Sequence, residues 1–213
     1  MMQLQYISQG NTPKEHLINI GEVCEAGGRW IQLRLKDVDL AVYLETAIKC
    51  REICDQYGAI MIVNDQVSIA QAAQADGVHL GLNDMSPKEA RGILGENFII
   101  GGTANTIQDC MDQVEAGVDY VGLGPYKNTI TKKKLSPLLG TKGYASIMTV
   151  LRNKYPEVPV VAIGGILLED ISPILESNVN GIAVSGMLTK KDDLEERIQF
   201  ATKLIAEKKE AKS

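Results

Sequence analysis

Eight short apolar runs, separated by amphipathic segments, restrict the fold of this chain more than any other feature. They are "LQYIS" 4–8, "WIQLRLK" 30–36, "IMIVND" 60–65, "GVHLG" 77–81, "FIIGGT" 98–103, "YVGLG" 120–124, "VPVVAIGG" 158–165 and "GIAVSG" 181–186. Segments 41–58, 107–117 and 192–209 between and after them carry apolar residues at helical spacing, and are too long and too polar on one side to be strands. Parallel neighbouring strands need a crossover, usually a helix, so a β-then-α beat calls for a parallel sheet covered by helices. Eight repeats in 213 residues leave roughly 27 residues each, near the lower end for a (β/α)8 barrel. A doubly wound open sheet is the rival, but no GxGxxG follows the first strand, and eight units close a barrel with no element left over. The expectation is therefore an α/β chain forming a single-domain (β/α)8 TIM barrel over residues 1–213, with a long lid-like loop at about 125–142 and a frayed tail, "EKKEAKS".

A hydrophobic content of 45% suffices for one sizeable core. No stretch approaches the roughly 18 uninterrupted apolar residues of a membrane span, and "MMQLQYISQG" lacks the charged and apolar regions of a secretory signal, so a cytoplasmic location is expected. The net charge of -5 argues against nucleic-acid binding, which calls for a basic surplus. Cys24, Cys50, Cys54 and Cys110 match neither a zinc ribbon nor a redox pair; Cys50 and Cys54 share one helix face and read as small buried hydrophobes. A homo-oligomer is left open.

In a barrel, functional residues come from the C-terminal ends of the strands and the loops that follow. Gln32, Arg34 and Lys36 are two apart and point one way, with Leu33 and Leu35 pointing the other. That sets an amide and two cations at the barrel mouth, either for an anionic substrate or neutralised by structural carboxylates. Asp65 ends the third run and Asp84 lies just past the fourth, on strands about 4.8 Å apart. Two acids beside two cations would support magnesium, which takes one or two carboxylates plus phosphate oxygens and water. An acid pair for general acid/base chemistry is another reading, and Asp84 could instead cap the helix beginning near "MSPKEA".

The loop after the sixth run carries Lys127, Lys132, Lys133, Lys134 and Lys142 and no acid, which suits an anion. Lys132, behind Thr129 and Thr131, offers a charge and two hydroxyls to phosphate oxygens, whereas Lys133 and Lys134 read as solvated surface. Gly164, Gly165, Ser185 and Gly186, after the seventh and eighth runs, occupy positions where barrels build phosphate sites from backbone N–H groups. His16 and His79 are the only histidines; no nucleophilic triad can be assembled, and His79, inside a strand, reads as a packed support. Chemistry here would rest on electrostatics.

In order, "QLRLK", "VND", "GVHLGLNDM", "GGTANT", "NTITKK", "AIGGI" and "GIAVSG" resemble the thiamine-phosphate synthase family over almost the whole chain. The resemblance implies a magnesium-dependent barrel enzyme. It would join hydroxymethylpyrimidine diphosphate to thiazole phosphate, giving thiamine phosphate and diphosphate. Gln32, Arg34, Lys36 and Asn64 would contact the pyrimidine diphosphate, and Asp65 and Asp84 would bind Mg2+. Thr103 stands where the family often has serine near the diphosphate, Lys132 resembles the lid lysine on the same group, and Arg34, Lys36, Lys132 and Thr103 would carry the catalysis. Thr129, Thr131, Gly165 and the backbone around Val184 and Ser185 would hold the thiazole phosphate. Leu35 replaces a frequent acid and by parity faces away; "AVSGM" departs from the commoner "VVSAI" type at loop eight. The alternatives are a thiazole tautomerase-like relative, a non-catalytic thiazole-phosphate binding or regulatory protein, and another phosphate-binding barrel isomerase, the last disfavoured by the scarcity of acid/base groups.

Overall fold

In the computed structural model, which describes residues 3–128, 137–189 and 192–210, every one of the eight apolar runs contains a strand. The strands are β1 Leu4–Ile7, β2 Trp30–Leu33, β3 Ile60–Asn64, β4 Gly77–Leu80, β5 Ile99–Ala104, β6 Tyr120–Leu123, β7 Val160–Ile163 and β8 Gly181–Val184. Helices α1 Pro13–Glu25, α2 Leu40–Tyr57, α3 Val67–Ala72, α4 Pro87–Leu94, α5 Ile107–Glu115 and α6 Gly140–Lys154 follow β1 to β6 in turn. A 3-10 turn at Leu168–Asp170 and α7 Ile171–Leu175 follow β7, and α8 Gly186–Thr189 and α9 Leu194–Glu210 follow β8. All pairings are parallel and in chain order, and β8 pairs with β1 to close the barrel.

Closure splits each strand's side chains between two environments. Ile7, Trp30, Ile62, Tyr120, Val161 and Ala183 fill the interior. Tyr6, Ile31, Leu33, Met61, Val63 and Ile100 belong to the larger apolar layer that packs with the helices. Buried Gln5, Gln32, Asn64 and His79 keep the inward parity, so polar side chains share the barrel interior with apolar ones.

The N-terminal ends of the strands are tied down by one device used three times. Arg51 on α2 donates to Asp76 Oδ2 at 2.6 Å, and the same oxygen accepts the N–H of Met61 in β3 at 2.6 Å. Arg91 on α4 and Asp119 repeat it at 2.6 Å, with the Ile100 N–H at 2.7 Å. Arg152 on α6 uses Asn180 Oδ1 at 2.5 Å, and that oxygen accepts the Val160 N–H at 2.8 Å. In each case a helix cation and a strand amide share one oxygen placed just ahead of the next strand. The lower face of the barrel is thus committed to stability, leaving the upper face for chemistry.

Several expectations shift. β2 stops at Leu33, yet the alternation carries on: Leu35 is buried in the outer layer with Leu33, and the chain turns at Asp37 with φ 57°. Asp84 does not cap a helix. Ser86 caps α4 through a capping box with Glu89, because a serine three residues before a glutamate satisfies two end amides at once. The tail is helical as far as Glu210, with Lys208 Nζ on Glu176 at 2.6 Å, so it does not fray from residue 207. Lys142 lies inside α6 and not in a loop. All four cysteines are free and buried, Cys50 and Cys54 as their shared helix face predicts.

Candidate active site

The C-terminal ends of the strands surround an open cavity of about 1650 Å³, larger than the ~300–1,000 Å³ of a single small-ligand pocket. Its lining includes Gln32, Arg34, Lys36, Asn64, Asp65, Asp84, Thr103, Gly165, Val184 and Ser185. Thr129, Thr131 and Lys132 lie outside the described residues.

The tops of β2 and β3 part beyond their last ladder pair, Leu33 with Val63, and there Arg34 and Asp65 leave the sheet. Two clamps hold this opening. Tyr43, buried on α2, donates from its hydroxyl toward Leu33 O at 2.9 Å and Asn64 O at 3.0 Å. On the other side the Arg34 N–H donates to Ser8 Oγ at 3.0 Å, and Ser8 Oγ is 2.7 Å from His16 Nδ1 on α1. Burial lowers the pKa of His16 below its ordinary value. Neither Tyr43 nor Ser8 was flagged by the sequence patterns. Their one signal is a hydroxyl at the edge of a strand or at an otherwise apolar helix position.

Lys36 Nζ pairs with Asp65 Oδ2 at the rim, so one of the two cations does meet a carboxylate, as the structural alternative required. Their side chains are 46% and 20% exposed, and a pair this open contributes ~0–1 kcal/mol, so a ligand could exchange it cheaply. Asp65 takes a left-handed backbone, φ 64°, which aspartate tolerates, and its N–H bonds to His79 O at 2.9 Å. Asp84 is held by the Gly81 N–H, 2.7 Å from its Oδ2; a β-carbon at Gly81 would lie 2.7 Å from that oxygen. Burial, and next the hydrogen-bonding contact with the Asp65 carboxyl, raise the Asp84 pKa. The Asp65 carboxyl therefore lies close enough to Asp84 to make the Asp84 charge costly. A divalent cation would relieve that cost. Among the described residues no third Asp, Glu, His or Cys joins them, so further ligands would have to be substrate oxygens and water.

Deeper in the mouth, Thr103 Oγ1 lies 3.0 Å from His79 Nε2, and His79 Nδ1 lies 3.0 Å from Tyr120 Oη. His79 is a hydrogen-bonded support, as its position within a strand suggests. Across the cavity Gly164 and Gly165 have φ 99° and 66°, and a β-carbon on Gly165 would stand 2.6 Å from Asn128 O, so glycine is required there. Val184 packs outward in the helix layer and still borders the cavity, and Ser185 Oγ donates to Gln9 Oε1 at 3.3 Å. Arg197 on α9 braces this loop by donating to Met187 O at 2.6 Å. Lys127, counted among the anion-attracting lysines, is bonded to buried Asp170 at 2.6 Å and thereby ties the chain after β6 to the turn after β7.

The sequence profile of the family described as thiamine monophosphate synthase matches residues 4–188. The thiamine-phosphate synthase of Flavobacterium johnsoniae is 48% identical over 197 residues, spanning 92% of this chain and 93% of that protein. That of Phocaeicola vulgatus is 45% identical over 192 residues, 90% of this chain and 92% of that one. Among solved structures, thiamine phosphate pyrophosphorylase from Pyrococcus furiosus superposes with a TM-score of 0.82 at 29% identity, covering 97% of this chain and 96% of that chain. A 3-hexulose-6-phosphate synthase, at TM-score 0.64 and 15% identity over 96% of this chain and 99% of that one, shares the fold alone.

Proposed function

The chain belongs to the thiamine monophosphate synthase family, and from that membership we propose how its cavity performs the family reaction. It is a transferase that joins a pyrimidine and a thiazole substrate to form thiamine phosphate. The named relatives are synthases, which leaves the tautomerase-like and non-catalytic readings without support.

Hydroxymethylpyrimidine diphosphate sits over β2 to β5, its ring against Gln32 and Asn64 and its diphosphate toward Arg34, Lys36 and Thr103. By the resemblance Lys132 is assigned to the same group. Thiazole phosphate is held by Thr129, Thr131, Gly165 and the backbone of Val184 and Ser185. The methylene C–O bond breaks with its electron pair leaving on the diphosphate. The aminopyrimidine ring stabilises the resulting cation, and the thiazole nitrogen forms the new C–N bond with its own lone pair. No proton changes hands at the reacting carbon, so no strong base is needed. The protein's task is to stabilise leaving-group charge and to hold two reactants in line.

Asp65 and Asp84 suit a hard divalent cation, and we assign them to Mg2+, which when bound supplies charge neutralisation at the diphosphate oxygens. With Asp65 given over to the cation, Lys36, whose pair with it is open to solvent, would be available to the diphosphate. The convergence of the two carboxylates beside Lys36, on the wall opposite Gly165, is the observation that carries this reading. We take the eight strands as one domain. We place the chain in the cytoplasm, where free thiols persist, and its net charge of -5 argues against a nucleic-acid partner. No helix among the described residues is long and apolar enough to cross a membrane.

The test is diphosphate release with each substrate alone and with both, with and without Mg2+, in the wild type and in Asp65→Ala. Release only with both substrates and metal, and its loss in the variant, supports the assignment. Full turnover by Asp65→Ala removes Asp65 from the metal site.

A further inference from the structure

The wall below the mouth is a continuous hydrogen-bonded chain of five buried or half-buried polar side chains from five strands. Gln32 Nε2 donates to Gln5 Oε1 at 3.3 Å, and Gln5 Nε2 donates to Tyr120 Oη at 3.4 Å. Tyr120 Oη lies 3.0 Å from His79 Nδ1, and His79 Nε2 lies 3.0 Å from Thr103 Oγ1. The two ends, Gln32 and Thr103, are the groups assigned above to the pyrimidine and to its leaving group.

Counting protons along this chain fixes its direction. Gln5 spends its carbonyl oxygen on Gln32 and its amide on Tyr120, and Gln32 also bears on the Tyr120 hydroxyl as a donor, so the Tyr120 oxygen accepts on that side. Tyr120 is 1% exposed, and a further bond accepted from the ring would strand its own proton in the interior. That proton goes to His79 Nδ1. A ring that accepts at Nδ1 carries its hydrogen on Nε2, and Nε2 faces Thr103. Thr103 Oγ1 therefore accepts from His79, and its own O–H turns away from the ring, toward the cavity that Thr103 lines.

The neighbouring strands are cut to fit the ring. Gly101 is the register partner of both His79 and Tyr120, and a β-carbon on it would stand 2.5 Å from His79 Nδ1 and 2.2 Å from Tyr120 Cζ. A β-carbon on Gly122, the partner of Thr103, would stand 2.9 Å from His79 Cε1. Two bare strand positions leave the imidazole its place and nothing larger.

We infer that His79 is a positioning residue: locked by Tyr120 in its Nε2–H form, it turns the Thr103 hydroxyl into a dedicated hydrogen-bond donor for the departing diphosphate. This rests on the placement of the diphosphate at Thr103 given above. A hydroxyl aimed where negative charge grows binds the transition state more tightly than the ground state, which raises kcat. Were the ring reversed, with its proton on Nδ1, the Thr103 proton would be drawn to Nε2 and the leaving group would lose a donor.

Because His16 and His79 are the only histidines, protein labelled with 15N in histidine gives two imidazole spin systems, and the His16→Gln variant assigns them. The expected spectrum of His79 shows an unprotonated Nδ1 and a protonated Nε2. A proton on Nδ1, or on both nitrogens, overturns the inference, and this measurement on the wild type does not depend on any variant folding. Kinetically, Thr103→Val should lose ~100-fold or more in kcat, the cost of removing one aimed donor. His79→Asn, too short to reach Thr103, should lose about 10-fold or more, and His79→Gln, whose amide can stand in for Nε2–H, should recover most of it. In the Thr103→Val background His79→Asn should cost nothing further, whereas independent, multiplying losses would mean that His79 only supports the fold. Wild-type turnover with the wrong tautomer sinks this inference and leaves the synthase reading standing. Wild type that releases no diphosphate from the two substrates sinks that reading instead.

Discussion

Replacing Tyr43 with phenylalanine removes one hydroxyl from the point where β2 and β3 separate. The oxygen is buried, donates toward Leu33 O at 2.9 Å and Asn64 O at 3.0 Å, and also bonds the backbone of Leu35. Phenylalanine fills the same apolar space, so the loss is confined to those bonds. Leaving a buried backbone acceptor without its donor costs about 1–3 kcal/mol. For a chain of this size each kcal/mol lowers Tm by roughly 2–4 °C, so thermal unfolding of Tyr43→Phe should fall by about 2–12 °C. The same hydroxyl fixes the spacing of Arg34 and Asp65, which follow Leu33 and Asn64 directly. A displacement near 1 Å at reacting groups costs up to ~100-fold, and kcat/KM for the pyrimidine diphosphate should drop about 10-fold. The thiazole phosphate site, on the opposite wall, should keep its KM. Calorimetry and steady-state kinetics read the two halves separately. A Tm unchanged within about 1 °C refutes the buried clamp. Lower Tm with unchanged kinetics refutes its role in setting the site.

Cys54 packs against Cys24 and Cys50 with no exposed surface, so Cys54→Ser should destabilise by about 0.5–2 kcal/mol more than Cys54→Ala in urea unfolding, because a bond from the buried hydroxyl back to the Cys50 carbonyl offsets only part of its desolvation. Native protein should also leave its thiols unreacted toward an aromatic disulfide reagent, since burial pushes Cys110 up to about 12, and the contact with Cys54 and then burial raise Cys24; rapid native labelling would contradict the packing. For His16, burial depresses the folded pKa, so the unfolded chain takes up a proton more readily. Its contribution to stability is complete above about pH 6.5 and is lost as pH falls through the window down to the folded value. Urea midpoints at about pH 7.5 and 5.5 should therefore differ more in the wild type than in His16→Gln, and equal differences would remove His16 as the cause.

The barrel was legible because alternation of apolar runs and amphipathic segments is a property of local sequence, and closure follows from counting eight. Asp65 and Asp84 could be brought together by the same logic, since consecutive parallel strands lie side by side. The parity of Gln32, Leu33, Arg34 and Leu35 survived the early end of β2 because alternation outlasts the hydrogen-bonded ladder. What stayed hidden depends on distant pairing. Gln5 meets Tyr120 across 115 positions of sequence and His79 meets Tyr120 across 41, and inward parity names the candidates without saying which of them touch. Polar residues at inward positions of apolar strands, Gln5 and His79, were the available signal. The capping of α4 went to Ser86 because Glu89 three residues on completes a reciprocal pair, a motif that outcompetes an isolated aspartate. Lys127 was read by charge alone, while its use depends on Asp170, 43 positions later.

The central claim is that Asp65 and Asp84 recruit a divalent cation to the place where Arg34 and Lys36 meet a diphosphate. Calorimetric titration of inorganic diphosphate into the enzyme, with and without Mg2+, tests it without turnover. The account predicts that Mg2+ tightens binding in the wild type and that the gain vanishes in the Asp65→Asn, Asp84→Asn double variant. An equal magnesium effect in the double variant would contradict it.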